Sequence, residues 1–552
     1  MRRLIIVVVA IVVLLGALVG FSGYLLKGLV TGEKDTLLKE LSRRAGVQIS
    51  VERADFDVAG WYAMRPALSL TGVKVANPPG FQQPHLLTAD RIDVRVAIKP
   101  LLSRRLEVET LVLEKPQFLI ERNKQGISNL EVFSQGLGSG KAGGGPGKAS
   151  GSAVAMSIQS MEIRNGEVRM AGGAVSRLHN IDLQLKDVTA GRPIPTELSA
   201  KVYEGTRSTL NFKGNMGPFS PNSGAVDGEA DIKLSVADVP DAVRRLEFGD
   251  LLAKPGSNSI VTLSGTVKGD LYGALQSNGK FTIDGVSVGR PEHLLPLSGS
   301  APLAVTVRKL MSTPVTDLRL RNALLKVGPG EWKGAVDLLM AGGVVRGKST
   351  GAIRGIDINQ FLAAFTSSDN RMAGQLNIPN YTLRFGGKDA EQIKRSLSGE
   401  GQVMVAKGQI KALDILASIR RAVEKVGLME AEKSGNTEFT TLNTAVRIDG
   451  GALQASDFVI EGPALMVNGA GSIGFDQALQ FKLSTLVRGR IAELLGRKGV
   501  GNAPAEAVVP VEVSGTVGNP RIVPNVKSMA VSTGVNFLRD LIQKRLAEKK
   551  QQ

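Results

Sequence analysis

The chain has 552 residues, no cysteine and a net charge of +17, and 4% of its residues are aromatic. A chain of this length forms two or more domains or one extended architecture. The lack of cysteine excludes disulfides and thiolate metal sites, so burial and backbone pairing must hold the fold together. The basic excess raises a nucleic-acid hypothesis, but basic residues are mixed with acidic ones and few aromatic side chains could stack on bases. We expect a solvated basic surface that also favours anionic lipid headgroups, and no nucleic-acid partner.

The first element is an uncharged apolar run, Leu4–Leu26, behind two N-terminal arginines. Its 23 residues suffice for a helix that crosses about 30 Å of hydrocarbon. The run predicts a transmembrane anchor over residues 1–27, with a cytoplasmic N-terminus by the positive-inside rule. A cleaved secretory signal is the alternative, because small residues occur within residues 20–23, and both interpretations export the bulk of the chain. The residues assigned to the anchor are Leu4, Ile5, Val8, Ile11, Leu14, Leu15, Leu18 and Leu25.

Strand periodicity dominates the rest of the chain. In residues 91–99 apolar side chains alternate with charged ones, which is typical of a strand with one apolar face. Turn signals between such stretches favour tight hairpins. They include Asn165-Gly166, Asp227-Gly228, Asp284-Gly285 and Asp449-Gly450. The predicted fold class is mainly β with few helices: a single N-terminal transmembrane helix, then an elongated, curled antiparallel β-sheet that forms an apolar groove.

The apolar face of this sheet needs a cover, and few helices are available to supply one. An antiparallel sheet either closes into a barrel or sandwich, or stays open as a gutter with an apolar interior. An acyl chain suits an open gutter, because exposing a sixteen-carbon tail to water costs about 12 kcal/mol at about 0.8 kcal/mol per CH₂. The residues predicted to line the groove are Ile92, Val94, Val96, Ile98, Leu111, Leu113, Ile232, Leu234, Val403, Val405, Leu479, Phe481 and Leu483.

Helical periodicity is confined to Lys34–Arg44, Ile410–Val426 and Val535–Leu546. The last of these is amphipathic and basic, as expected of a helix that caps the final strand edge or docks on an anionic membrane surface or a partner. The stretch Gln135–Ser152 is rich in glycine and predicts a linker. The predicted organisation is an anchor (1–27), an N-terminal β region with a short helix (28–133), the linker (134–153), a central β region (154–394), a C-terminal β region (395–530) and a basic amphipathic helix (531–552).

Three motif matches suggest enzymatic sites, and their context argues against each. Gly138–Gly143 fits G-x-G-x-x-G but follows no strand. Gly342–Ser349 fits the phosphate-loop pattern in full, yet residues 350–356 suit a returning strand rather than the helix that such a loop requires, so we predict a hairpin. Gly285–Gly289 fits G-x-S-x-G, but its flanks predict strands rather than a nucleophile elbow, and the three histidines lack metal-ligand spacing. We expect no enzyme activity, catalytic residue, cofactor or metal.

Several motifs together carry a resemblance to a known family. In the N-terminal region they are Gly46–Val51, Leu68–Val75, Asn77-Pro78-Pro79-Gly80-Phe81, Ala89–Ile92, Ile98–Leu102, Leu113–Pro116 and Glu121-Arg122-Asn123 with Asn129-Leu130. In the C-terminal third they are Leu397–Gly401, Thr440–Leu442, Ile448–Gly451, Gly469–Gly471 and Val511–Thr516 with Asn519-Pro520. With these motifs the chain resembles the AsmA family of bacterial envelope proteins over nearly half of its length. Residues 153–394 resemble the family only in being rich in predicted strands.

The resemblance implies a single-pass protein of the bacterial inner membrane whose bulk is a periplasmic β-groove of the bridge-like lipid-transfer type. It implies that inner-membrane phospholipid is the bound partner, moved to the outer membrane in support of that membrane, and it implies no catalytic residue and no metal. The alternative is a closed envelope scaffold that carries no lipid and assists the assembly of outer-membrane proteins, which would then be its partners. A conduit has apolar side chains around an accessible interior, whereas a scaffold buries them against each other. The oligomeric state is left open.

Overall fold

The computed structural model describes residues 42, 47–57, 65–97, 99–100, 105–121, 123, 127–129, 132–133, 155–170, 177–189, 191–203, 205–220, 223–239, 259–290, 292–310, 314–366, 371–411, 413–424, 436–463, 465–488 and 506–525. The chain divides into two compact units. Unit 1 comprises residues 1–248, 257–281 and 304–315, and unit 2 comprises residues 249–256, 282–303 and 316–552. The described part is mainly β with few helices, which confirms that part of the predicted fold class.

The described part of unit 1 is built almost entirely from strands. Its strands are β1 (Ile49–Ser50), β2 (Arg53–Phe56), β3 (Ala67–Ala76), β4 (His85–Ala97), β5 (Arg105–Glu114), β6 (Gln117–Ile120), β7 (Ala155–Met170), β8 (Arg177–Thr189), β9 (Ile194–Val202), β10 (Thr209–Ser220), β11 (Ser223–Ser235) and β12 (Ile260–Asp270), with a 3₁₀ turn at Val236–Asp238. Strands β13 (Ala274–Arg290) and β14 (His293–Arg308) contribute residues to both units.

Pairing in unit 1 is antiparallel with one exception. β3 pairs with β4 and β4 with β5, and β7 to β12 pair antiparallel in chain order. β5 and β6, however, both pair with β7 in parallel, with Arg105 opposite Ala155 and Ile120 opposite Met170. The sheet is therefore mixed: the predicted antiparallel pairing holds for most strand pairs of unit 1 and is corrected at β7. The backbone pairing continues from the strands before the glycine-rich segment to the strand after it.

Unit 2 contains most of the helical residues of the described chain. Its strands are β15 (Val315–Val327), β16 (Gly330–Ala341), β17 (Val344–Asp357), β18 (Met372–Gly387), β19 (Ser398–Lys411), β20 (Asn436–Asp449), β21 (Ala452–Glu461), β22 (Leu465–Gly474), β23 (Leu479–Arg488), β24 (Glu506–Gly515) and β25 (Pro520–Pro524). Its helices are α1 (Ile358–Phe365), α2 (Ala390–Ser396) and α3 (Ile415–Glu424). From β16 to β25 each strand pairs antiparallel with the next.

The helices of unit 2 begin at acidic caps and lie beside the sheet. The carboxylate of Asp357 accepts hydrogen bonds from the backbone N–H groups of Asn359 and Gln360 at 2.8 and 3.1 Å, which satisfies two orphan donors of α1. Asp389 accepts from the N–H of Gln392 at 2.8 Å at the start of α2. α3 lies inside the helix predicted for Ile410–Val426, which confirms a helix there over a shorter range.

The turn predictions had mixed outcomes. Gly342 and Gly343, with φ of 57° and 78°, form the hairpin between β16 and β17, so the phosphate-loop pattern is a strand connection as predicted. Asp449-Gly450 likewise starts the turn between β20 and β21. The other three dipeptides lie inside strands: Asn165-Gly166 in β7, Asp227-Gly228 in β11 and Asp284-Gly285 in β13.

Several sequence predictions fall outside the described residues. The membrane anchor, the linker and the C-terminal basic helix lie there, as does all of the predicted helix Lys34–Arg44 except Ser42. Within the described ranges, no helix has the length and apolar character needed to cross a membrane.

Candidate functional site

The apolar face of unit 1 is sealed over strands β3 to β9. Residues opposite each other in register share a face of a sheet, and one such row runs through Leu70, Ile92, Leu113, Ile163 and Leu183. None of these five side chains is more than 5% exposed. The row passes through the parallel β5–β7 pair without interruption. The side chains of one face pack on each other here, so the sheet of unit 1 curls around its own apolar surface.

The same face of unit 1 becomes accessible beyond β9. The row continues from Leu183 to Leu198, then to Phe212 in β10 and Ala230 in β11. Leu198 is buried, whereas Phe212 and Ala230 are only half-buried. One apolar row therefore leads from a packed interior to a surface that solvent or a ligand can reach.

In unit 2 one end of the apolar face is sealed. The row Leu442, Ile460, Val467, Thr485 and Val509 crosses β20 to β24, and none of its side chains is more than 6% exposed. Buried side chains of α1 and α3 belong to the same cluster. The two helices thus help to close this end of the sheet.

The other end of the same strands is open. Ile448, Leu453, Ile473 and Leu479 form a second row across β20 to β23, and all four are half-buried. Leu442 and Ile448 are six positions apart in β20, which is about 20 Å of strand. Within unit 2 the apolar face thus changes from sealed to accessible over about 20 Å along the strands.

The accessible surface of unit 2 extends over β16 to β18. We call it the open face and define it by half-buried side chains of these three strands: Val336, Leu338, Met340, Val345, Leu383 and Phe385. The charged residues of the same strands, such as Lys333, Lys348 and Arg384, occupy the alternate positions and face the other side. Among the described residues of β16, β17 and β18 that share the open face, none carries a charge.

The residues predicted to line a groove divide between the two environments. The buried ones are Ile92, Val94, Val96, Leu111, Leu113, Val405 and Leu483. The half-buried ones are Ile232, Leu234, Val403, Leu479 and Phe481. Ile98 and the residues assigned to the anchor lie outside the described residues. The lining role stays a prediction for all of them, and accessibility favours the half-buried group. The open face of β16 to β18 was not among the predicted lining residues, although its alternating pattern resembles theirs.

The opposite, polar face carries pairs of charged residues at strand spacing. Arg91 pairs with Asp93 at 2.6 Å, Arg164 with Glu162 at 2.6 Å and Arg319 with Asp317 at 2.9 Å. Burial raises the pKa of Asp93, but hydrogen bonds from Arg91 and Ser69 and the nearby positive charges outweigh it, so the pKa lies below its ordinary value. These pairs keep the outer surface solvated and ionised.

A depression of about 670 Å³ lies on the polar face of unit 1, over β8 to β13. Its walls include Asp182, Glu197, Glu229 and Asp231, and Lys213 forms an ion pair with Glu197 at 2.8 Å. Leu198 and Phe212 also line its floor, although their side chains lie on the apolar face of the sheet. This depression is polar and acidic, so it does not suit an acyl chain.

The N-terminal family motifs form a hydrogen-bonded clamp. The carboxylate of Glu121 accepts from the backbone N–H groups of Gln82 and Gln83 at 2.8 and 3.0 Å. The fully buried amide of Asn129 donates to Asn77 Oδ1 and to the Leu119 carbonyl, both at 2.8 Å. The Asn-Pro-Pro-Gly-Phe loop is thereby tied to the end of β6. These polar motif residues therefore stabilise the fold beside the sealed apolar face.

The G-x-S-x-G motif and the three histidines lie in ordinary strands, whereas Gly138–Gly143 lies outside the described residues. Ser287 is inside β13, with extended chain on both sides rather than a helix after it. His85 and His293 begin β4 and β14, and His179 lies in β8. Within the ranges that the structure describes, no three His, Asp or Glu side chains form a group that could hold a metal ion.

Comparison with known proteins gives a family match. The sequence model of the AsmA family matches residues 4–256. No curated protein and no solved structure matches the chain. The matched region includes the sealed rows of unit 1 and the clamp made by Asn77, Glu121 and Asn129. Over residues 4–256, a little under half of its length, the chain is thus similar to the AsmA family.

Proposed function

We propose that the protein is anchored in the inner membrane by its apolar N-terminal run and conducts phospholipids along its apolar sheet face toward the outer membrane. The match of residues 4–256 to the AsmA family supports an envelope role. The bulk of the chain then lies in the periplasm, and inner-membrane phospholipid is its cargo. No covalent chemistry is part of this function.

The observation that carries the proposal is the charge-free open face of β16 to β18. Its side chains are half-buried, and the charged residues of the same strands all lie on the opposite face. Contiguous accessible apolar surface marks a binding site in a water-soluble region. Acyl chains cover such a surface and gain about 0.8 kcal/mol for each CH₂ removed from water.

The half-buried rows of unit 1 supply the same kind of surface. Phe212 and Ala230 lie next to half-buried Leu210 and Ile232 on one face of β10 and β11. Each unit therefore offers an accessible apolar strip beside a sealed cluster. The sealed cluster gives rigidity, and the strip gives a surface on which a lipid tail can move.

Two neighbouring residues on one strand provide a matched test. Leu338 lies on the open face, whereas Leu339 is exposed on the opposite face, where it is paired with Arg346. Leu338→Asp places a charge against the acyl chains, and Leu339→Asp places the same charge in solvent. Full-length protein would be purified from a bacterial envelope, and its co-purified lipid would be extracted and quantified by mass spectrometry.

We expect stoichiometric phospholipid with wild type and Leu339→Asp, and at least a tenfold loss with Leu338→Asp, since one buried charge costs more than 1.4 kcal/mol. Thermal unfolding followed by circular dichroism should be alike for the two variants. Folded wild-type protein without lipid would refute the conduit.

The scaffold is the second candidate, and the sealed rows of both units favour it, because they bury apolar side chains against each other as a closed scaffold does. Lipid-free protein that co-purifies with outer-membrane proteins would support it.

A further inference from the structure

Three polar side chains interrupt the open face of unit 2. Trp332 in β16 donates its Nε1–H to the hydroxyl oxygen of Tyr381 in β18 at 2.6 Å. The hydroxyl of Ser349 in β17 lies 2.9 Å from the same oxygen. All three side chains are half-buried. They share the face of Leu338 and Leu383, because Gly351 is opposite both Gly334 and Tyr381 in register.

One polar hydrogen of this cluster takes no part in the hydrogen bonds within it. Trp332, Tyr381 and Ser349 each carry one polar hydrogen, and the cluster contains two hydrogen bonds. Whichever hydroxyl donates in the Ser349–Tyr381 bond, the other keeps its O–H. Neither hydroxyl has a further acceptor among the described residues. A donor on an apolar surface without an acceptor is costly unless water or a ligand supplies one.

Glycine residues hold the aromatic rings of this cluster against the sheet. A Cβ at Gly334 would lie 2.6 Å from the Trp332 ring, and one at Gly351 would lie 3.1 Å from its Nε1. A Cβ at Gly347 would meet the ring of Phe385. The rings therefore lie directly on the backbone, which fixes the direction of the Trp332 N–H and the place of the Tyr381 hydroxyl. The spare O–H is thus presented at one defined point of the open face.

The surroundings select a neutral acceptor for this donor. The charged residues Lys333, Lys348 and Arg384 are on the other side of the sheet, so nothing described on this face would neutralise a phosphate. A carbonyl oxygen needs only one hydrogen bond and tolerates apolar neighbours. In an acyl glycerolipid the ester carbonyl is the acceptor directly attached to the tail.

We propose that the Ser349–Tyr381 hydroxyl pair, oriented by Trp332, binds the ester carbonyl of an acyl glycerolipid whose tail lies on the open face. The inference rests on the proposed function and assigns it a lipid-binding position. Lipids would then pause at this point of unit 2, with the tail on Val336, Leu338 and neighbouring apolar side chains.

An ester lipid and its ether analogue separate this proposal from general lipid binding. The probes are dihexanoyl phosphatidylcholine and the dihexyl ether phosphocholine, which differ in the two carbonyl groups. Each would be titrated calorimetrically into the full-length protein held in amphipol. We expect wild type to bind the ester about fivefold more tightly than the ether, the value of one neutral hydrogen bond.

The test variant replaces all three polar groups by apolar ones of similar shape: Trp332→Phe, Ser349→Ala and Tyr381→Phe. Removing every partner of a network together leaves no unpaired group, so the fold should be retained. We expect this variant to keep its ether affinity and to lose the preference for the ester. The control, Thr350→Val with Thr382→Val, removes two hydroxyls from paired positions on the opposite face and should keep the preference.

Quenching of Trp332 gives a second measurement that does not depend on the test variant folding. The chain contains two tryptophans, so Trp61→Phe leaves Trp332 as the single reporter. The ester lipid with brominated acyl chains should quench its fluorescence, and absence of quenching would overturn the proposal. Equal affinity of wild type for ester and ether, or a preference that survives in the test variant, would overturn this inference and leave the conduit standing. Failure of wild type to bind either lipid would remove both.

Discussion

Truncating the buried amide of Asn129 should release the clamp that holds the N-terminal family motifs. Its side chain accepts from the backbone N–H of Glu121 at 3.0 Å and donates to the Leu119 carbonyl and to Asn77 Oδ1 at 2.8 Å each. Asn129→Ala therefore removes three hydrogen bonds made by a fully buried side chain, two of them to backbone groups and one to a side-chain oxygen. At about 1–3 kcal/mol for each buried group left unsatisfied, and with partial relaxation, the local cost is about 3–5 kcal/mol.

Hydrogen exchange measured by mass spectrometry on the full-length protein can detect this change. Local opening free energies follow from amide exchange rates, and a loss of about 3–5 kcal/mol corresponds to about 10²- to 10³-fold faster exchange or more. The effect should appear in peptides that cover residues 77–84 and 117–129, which contain the amides that Glu121 and Asn129 hold. Peptides from unit 2 should be unchanged.

The matched control is an exposed asparagine in the same segment. Asn123 Oδ1 accepts from the N–H of Ile127 at 2.9 Å, and this bond is solvent-exposed. Asn123→Ala should therefore cost no more than about 1 kcal/mol, less than a tenfold change in exchange. If Asn129→Ala changed exchange as little as Asn123→Ala, the clamp would be incidental and the reasoning from buried unsatisfied groups would be refuted.

Three further predictions concern single side chains. Burial raises the pKa of Asp270, but hydrogen bonds from Ser223 and three backbone N–H groups lower it below its ordinary value overall. Asp270→Asn should thus lower the free energy of unfolding in urea by about 1 kcal/mol at pH 7, and this loss should stay constant down to about pH 4 and vanish below the folded-state pKa. A loss that persists at low pH would contradict this. The Thr485 hydroxyl is fully buried between Val467 and Val509 and has no hydrogen-bond partner among the described residues, so Thr485→Val should raise the free energy of unfolding by about 1 kcal/mol. A lower free energy of unfolding would show that the hydroxyl stabilises the fold. Asp357→Ala removes the α1 cap and should cost about 1 kcal/mol in the same assay; an unchanged midpoint would mean that water replaces the cap.

Local patterns predicted the strands and which residues share a face. The alternation around Ile92 and Val94 correctly placed both on one apolar face, and Gly342-Gly343 correctly marked a hairpin. Ile92 is buried and Leu338 is half-buried, although both lie in strands with the same alternation. A period of two shows which side chains share a face, but not what covers that face. That distinction depends on curvature and on helices packed from elsewhere in the chain.

Three Asn-Gly or Asp-Gly dipeptides were wrongly predicted to be turns, because residues with positive φ or without a side chain also occur inside long strands. Asn165, with φ of 53°, lies inside β7 where the register with β8 shifts, as in a β-bulge. Gly285, with φ of 62°, lies inside β13. Gly228 faces Gly214, and a Cβ there would come within 2.5 Å of the Lys213 carbonyl oxygen, so glycine is needed for close approach rather than for a turn.

The polar cluster on the open face had no local signal. Trp332, Ser349 and Tyr381 are brought together only by the register of β16 with β17 and of β17 with β18. Their separations in the chain are set by strand and turn lengths, and a shift of one residue in either register would move one of them to the polar face. Such a site becomes visible only once the pairing is known.

The parallel pairing of β7 with β5 and β6 sets a minimum length for the chain between them. From Arg105 opposite Ala155 to Ile120 opposite Met170, the paired segments extend for about 50 Å, and the chain must return over that distance between Ile120 and Ala155. A fully extended chain covers it with about 15 residues. Because Asn129 is held beside Leu119 at the end of β6, residues 130–154 make this return, and these 25 residues exceed the minimum by about ten. The glycine-rich part can therefore be shortened by a few residues, or lengthened, without changing a strand register, which makes it a natural place to insert a reporter.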